Sequence, residues 1–153
     1  MKQMKAIIFL AVCLVVALSA PSFGASQPVQ GVEHWVNNRP IRLYVWEKYV
    51  ETPKDKPIIV LAHGSATAGK ESFDLQVPEK PTYSLMDVLA QKGFDVFAPD
   101  VRGFGRSTHP EGHMTTAEAS QDLNAVVDYV LKLRDVRKVN LLGWEPSMAE
   151  CSS

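Results

Sequence analysis

The chain has 153 residues, enough for one hydrophobic core and too few for two ordinary domains. Hydrophobic residues make up 46% and charged residues 22%, a balance that excludes intrinsic disorder. The formal net charge is −1, which gives nucleic acid no electrostatic footing, and two cysteines are too few for a disulfide scaffold.

Residues 1–24 read as a secretory signal peptide. Lys2 and Lys5 form a positive n-region, Ala6–Leu18 is an apolar run, and Ser22 and Gly24 supply small residues for cleavage after Gly24. The run is shorter than the roughly 20 residues a membrane span requires. Cys13 sits within this run and is followed by more apolar residues, so it is not read as a lipid-attachment site. Cleavage removes two lysines and no acid, so the net charge falls from −1 to −3 and Cys151 is left without an internal partner. An exported chain is expected, periplasmic or secreted, with residues 25–153 as the folded part and no stable membrane span after cleavage.

Val32–Val36 and Ile41–Val50 predict a strand pair around the turn Asn37-Asn38-Arg39-Pro40. Ile41, Leu43 and Val45 alternate with Arg42, Tyr44 and Trp46, the pattern of a half-buried antiparallel strand. Thr52–Lys56 is a polar connection. Pro57–Ala62 is a continuous apolar run, as in a buried parallel strand, and it ends at His63-Gly64. Residues 65–80 predict a loop. Ser84–Lys92 predicts a helix with Leu85, Met86, Leu89 and Ala90 on one face, stopped by Gly93. Phe94–Ala98 is the next buried strand. A glycine-rich loop, Val101–Ser107, follows it. Thr115 and Glu118 have capping-box spacing, and the apolar stripe beyond them carries a helix to about Arg134. Val139–Gly143 is the last strand. This order predicts an α/β fold: an N-terminal antiparallel strand pair leading into a mostly parallel sheet with flanking helices.

Three stretches just after strands carry candidate chemistry, where open α/β sheets place their ligands. After the first, His63-Gly64-Ser65-Ala66, backbone N–H groups are free to stabilise an oxyanion in acyl transfer. The stretch Gly64–Lys70 also fits G-x-x-x-x-G-K, but Glu71 stands where a phosphate loop needs Ser or Thr, and no clear helical stripe follows. In the second, Asp100–Ser107, the third glycine of a dinucleotide fingerprint is replaced by Thr108. There Asp100 and Arg102 are expected to pair locally and hold the loop. The third, Leu141–Ser147, enters like a nucleophile elbow, G-x-S-x-G. However, Glu145 stands at the serine position, Pro146 has no N–H to donate, and Ser147 replaces the last glycine.

Together Ile58–Leu61 with His63-Gly64, Gly93–Asp100, Arg102–Ser107 and Val139–Trp144 resemble the α/β-hydrolase family over about Gly31 to Trp144. The resemblance implies a mostly parallel sheet of which this chain supplies the first five strands. It also implies an oxyanion hole using the Ser65 or Ala66 N–H, and hydrolysis of a small-molecule ester or related acyl substrate. The family's triad runs Ser, then Asp or Glu, then His along the chain, with no metal or cofactor. Here His34, His63, His109 and His113 all precede Glu145, so no base follows the elbow, and neither Ser147 nor Glu145 has a histidine to work with. No complete catalytic set is expected within these residues.

The change of pattern after Trp144 points to a frameshift or premature stop near codon 145. The fifth strand is then expected to be an exposed apolar edge, with marginal solubility. The function expected is that of a truncated, inactive, exported hydrolase. The alternatives are a non-catalytic module that binds small ligands on the same scaffold and, behind it, a phosphate-loop nucleotide binder.

Overall fold

The computed structural model describes residues 27–80 and 83–143. The expected leader, the elbow segment Trp144–Ser147 and Cys151 lie outside the described residues.

Strand β1 (Val29–Asn38) pairs antiparallel with β2 (Ile41–Val50) over ten residue pairs. Strand β3 (Ile58–Ala62) leads through a short helix α1 (Gly69–Phe73) and α2 (Leu85–Gln91) to β4 (Asp95–Pro99). Helix α3 (Thr116–Arg134) then returns the chain to β5 (Asn140–Gly143). The sheet order is β1-β2-β4-β3-β5, with β2 antiparallel to β4 and β3 parallel to both β4 and β5. The partial α/β-hydrolase arrangement expected from the sequence is therefore present.

The two faces of the sheet have separate cores. Ile41, Leu43, Val45, Ile58, Val60 and Phe97 pack with Val126 and Val130 of α3. Val50, Leu61, Val96 and Ala98 pack on the opposite face with Phe73, Met86 and Ala90 of α1 and α2. The alternation along β2 therefore places residues on faces as expected, but both faces are covered. Tyr44, read from the sequence as solvent-facing, is fully buried, and burial pushes its hydroxyl pKa up to about 12. The second correction is α1, which lies where a loop was expected; its five residues are too few to show a helical stripe.

Helix α3 begins as its sequence predicts. Thr115 Oγ1 accepts from the Glu118 N–H at 3.2 Å, and the Thr115 N–H donates to Glu118 Oε2 at 2.9 Å, a complete capping box. Its far end enters a buried charged cluster. Arg134 Nε donates to Asp95 Oδ2 at 2.8 Å, and its terminal nitrogen bonds Glu47 Oε1. Glu47 Oε2 in turn lies 2.6 Å from His34 Nε2, and His34 Nδ1 lies 2.9 Å from the Tyr129 hydroxyl. Asp95 Oδ1 has no hydrogen-bond partner among the described residues. Burial, together with the neighbouring Glu47 carboxylate, raises the Asp95 pKa to about 7. A proton on Asp95 then gives the pair a shared hydrogen bond.

No helix among the described residues is long and apolar enough to cross a membrane. β5 forms one edge of the described sheet, with Leu141 56% and Leu142 45% exposed.

Between pH 4 and 7 the unfolded chain has released the Asp95 proton and the folded chain retains it, so this group's contribution to stability falls as pH rises from 3.8 to about 7. Asp95→Asn should flatten that decline in urea-unfolding midpoints measured across the window. Arg134→Met leaves two buried carboxylates without their cation and should cost about 3–5 kcal/mol at pH 8.

Candidate functional site

The connection leaving β3 crosses the α1–α2 face, and the one leaving β4 crosses the α3 face. The two diverge at the carboxyl ends of the strands, where such sheets open a crevice. A pocket of about 230 Å3 lies there. Ala62, Pro99, Val101, Met114, Ala119 and Leu123 supply its apolar wall, and His63, Ser65, Thr116 and Ser120 its polar groups. No Asp, Glu, Lys or Arg is among these lining residues.

His63 is held from both ring nitrogens. Its Nδ1 lies 2.6 Å from the Gly64 carbonyl oxygen, and its Nε2 accepts the Val101 N–H at 3.2 Å. Those partners require the neutral tautomer with the proton on Nδ1. The Phe104 ring stands edge-on to the imidazole, with centroids 5.0 Å apart. His63 is thus a brace between the loops after β3 and β4. Ser65 lines the pocket and Ala66 follows it on the exposed stretch before Ala68. Among the described residues neither backbone N–H meets a protein acceptor.

The Gly64–Lys70 match to a phosphate loop fails on geometry. The amide at the start of α1, Gly69 N–H, donates to Asp100 Oδ1 at 2.8 Å, so a carboxylate of the protein itself fills the place a phosphate would take. A second negative charge there would be repelled.

The expected Asp100–Arg102 pair is also corrected. Asp100 accepts from Gly69 N–H and, at 2.9 Å, from Arg106 N–H. Arg102 turns instead to α3. It forms a fork with Asp122, Nε to Oδ2 at 2.8 Å and Nη2 to Oδ1 at 2.7 Å, and it reaches Glu118 at 2.9 Å. Asn38 Nδ2 completes the set by donating to Asp122 Oδ1 at 2.8 Å. Burial alone raises the Asp122 pKa, but the Arg102 hydrogen bonds outweigh it and hold the carboxyl below the usual range. Ser107 closes the loop: its hydroxyl donates to the Asp100 carbonyl at 2.5 Å and accepts the Tyr44 N–H at 2.8 Å.

The sequence reading did not single out Met114, Thr116, Ala119, Ser120 and Leu123 as site residues. The available signal was the capping box at Thr115, because a helix that follows β4 must start above the carboxyl ends of the strands.

Two glycines of this loop differ in what they tolerate. Gly103 (φ +78°) has open space around a notional Cβ, whereas at Gly105 (φ +51°) a Cβ would overlap the Asp100 carboxylate and Ala68. Gly103→Ala should therefore cost about 1 kcal/mol and Gly105→Ala about 2–4 kcal/mol in urea unfolding. Equal costs would show that the Asp100 approach is not tight.

Comparison with known proteins places this geometry. No curated protein matches the chain. Solved structures do. Epoxide hydrolase A from Mycobacterium thermoresistibile superposes with a TM-score of 0.53 at 27% identity, over 74% of this chain and 31% of that one. An esterase from Pyrococcus furiosus gives 0.54 at 20% identity, over 78% and 41%. The thioesterase domain of the curacin biosynthetic pathway gives 0.50 at 24%, over 74% and 35%. The chain thus spans about a third to two-fifths of the length of these three structures. A family profile described as the alpha/beta hydrolase fold matches residues 57–144, from the start of β3 through β5. With that match covering more than half of its length, the chain belongs to the α/β-hydrolase fold family.

Proposed function

We propose that these residues form the oxyanion-donating part of a hydrolase for esters or related acyl compounds, with the Ser65 and Ala66 N–H groups as the donors. The observation that carries this reading is the pair of backbone amides without a protein acceptor beside an uncharged pocket at the end of β3. A developing oxyanion is stabilised by such preorganised N–H groups, and the absence of Asp and Glu from the wall keeps repulsion low. An uncharged pocket of about 230 Å3 suits a small neutral acyl group rather than a phosphate.

The nucleophile and its base have to come from elsewhere. Ser65, Thr116 and Ser120 line the pocket, but both ring nitrogens of His63 are engaged with backbone groups, so it is not free to take a proton from them. The position equivalent to the nucleophile carries Glu145, and no histidine follows it. On this reading these residues hold no complete catalytic set, and residues 1–24 act as an export leader.

The 153-residue chain should hydrolyse a short-chain p-nitrophenyl ester no faster than an equal concentration of free imidazole. Turnover abolished by a serine-directed acylating reagent would overturn the reading of the fragment as inactive. Intact mass of the exported form should correspond to a chain beginning at Ala25. A mass retaining residues 1–24 would contradict cleavage.

A further inference from the structure

The segment that carries Ser65 and Ala66 is fastened at both ends by one short stretch of the β4 loop. At its start, His63 holds the Gly64 carbonyl while accepting the Val101 N–H. At its end, Gly69 N–H is bound to Asp100 Oδ1, and Gly69 sits so close to β4 that a Cβ would overlap the Pro99 carbonyl. Ala68 and Gly105 approach to the point where a Cβ on Gly105 would clash with the Ala68 methyl. Four residues remain between Gly64 and Gly69, too few to relax independently of their ends. Thr67 is tied in turn to Ser72 of α1 by a 2.5 Å hydroxyl contact.

We infer that Asp100 is a positioning residue for the Ser65–Ala66 amides, acting through Gly69 and α1 without touching the pocket. This rests on the reading of those amides as the donors. Asp100 is 1% exposed, its two carboxylate oxygens each take one backbone N–H, and the second of these, Arg106, belongs to the loop that also carries the His63 contact through Phe104. A carboxylate is needed because both oxygens must accept. An asparagine offers one acceptor and one donor in the same space, so one of the two amides is left facing an N–H.

Burial raises the Asp100 pKa, opposed by the Arg106 and Gly69 amides. Glu71 of α1 raises it further, and His63 would lower it only if protonated.

The test is amide NMR on the full chain. In Asp100→Asn, exchange of the Gly69 or the Arg106 amide should accelerate roughly tenfold to hundredfold, the loss of one hydrogen bond to a charged acceptor. The Ser65 and Ala66 resonances should move with it, while Tyr129 of α3 and Val136 beyond the end of that helix stay in place. If Gly69 or Arg106 responds and Ser65 and Ala66 do not, Asp100 braces the loops without setting the donors, and the inference fails.

A pH titration of the wild-type chain needs no folded variant. The Ser65, Ala66 and Gly69 amides should share one midpoint with the Asp100 carboxyl carbon. A midpoint shared instead with Glu71 or His63, or no titration at all, overturns the inference. Failure of the underlying reading looks different: Ser65 and Ala66 amides that ignore a neutral oxygen acceptor would remove the oxyanion role and leave the dependence on Asp100 standing.

Discussion

A buried carboxylate taking one backbone amide from each of two loops is the constraint on which the upper end of this sheet depends. Removing the Asp100 charge from water is costly, and the two amides that face it are what offset that cost. Several nearby residue choices follow from it. Gly69 and Gly105 are glycines because the backbone must come within contact of β4 and of the carboxylate. Ser107 is serine because one hydroxyl has to donate to the Asp100 carbonyl and accept from Tyr44. The glycine-rich loop is therefore a scaffold for its own acid.

Charged groups at the two ends of α3 tie that helix to the sheet. Arg102, Asp122, Glu118 and Asn38 join its first turns to β1 and the β4 loop. Arg134 joins its last turn to β2 and β4. Between these ends Val126 and Val130 pack on the sheet, and the Tyr129 hydroxyl meets His34 of β1. This division fixes the helix along its axis, and with it the positions of Thr116 and Ser120 at the pocket. The polar cluster at the lower end has no access to that pocket and contributes to pH-dependent stability.

Much of the architecture was legible in the sequence because short apolar runs, glycine stops and a capping box each act locally. Helix α1 was not, since the five residues Gly69–Phe73 leave no periodicity to detect. The environment of Tyr44 was not either. Alternation assigns residues to faces, but whether a face is covered depends on helices elsewhere in the chain. The Arg102 partner was missed for a related reason: Asp122 lies 20 residues away and is brought near only by the return of α3. The candidate donors Ser65 and Ala66 could be named from the strand-loop rule, whereas what holds them, Asp100, could be placed only from the fold.

The central claim is that Ser65 and Ala66 present open, preorganised N–H groups while Gly69 and Arg106 are already occupied by Asp100. Titrating the chain with trimethylphosphine oxide, a neutral strong hydrogen-bond acceptor, and following backbone amide shifts tests it directly. The account requires the Ser65 and Ala66 amides to move downfield together, with Gly69 and Arg106 unchanged. A response at Gly69 or Arg106 with Ser65 and Ala66 silent would contradict it.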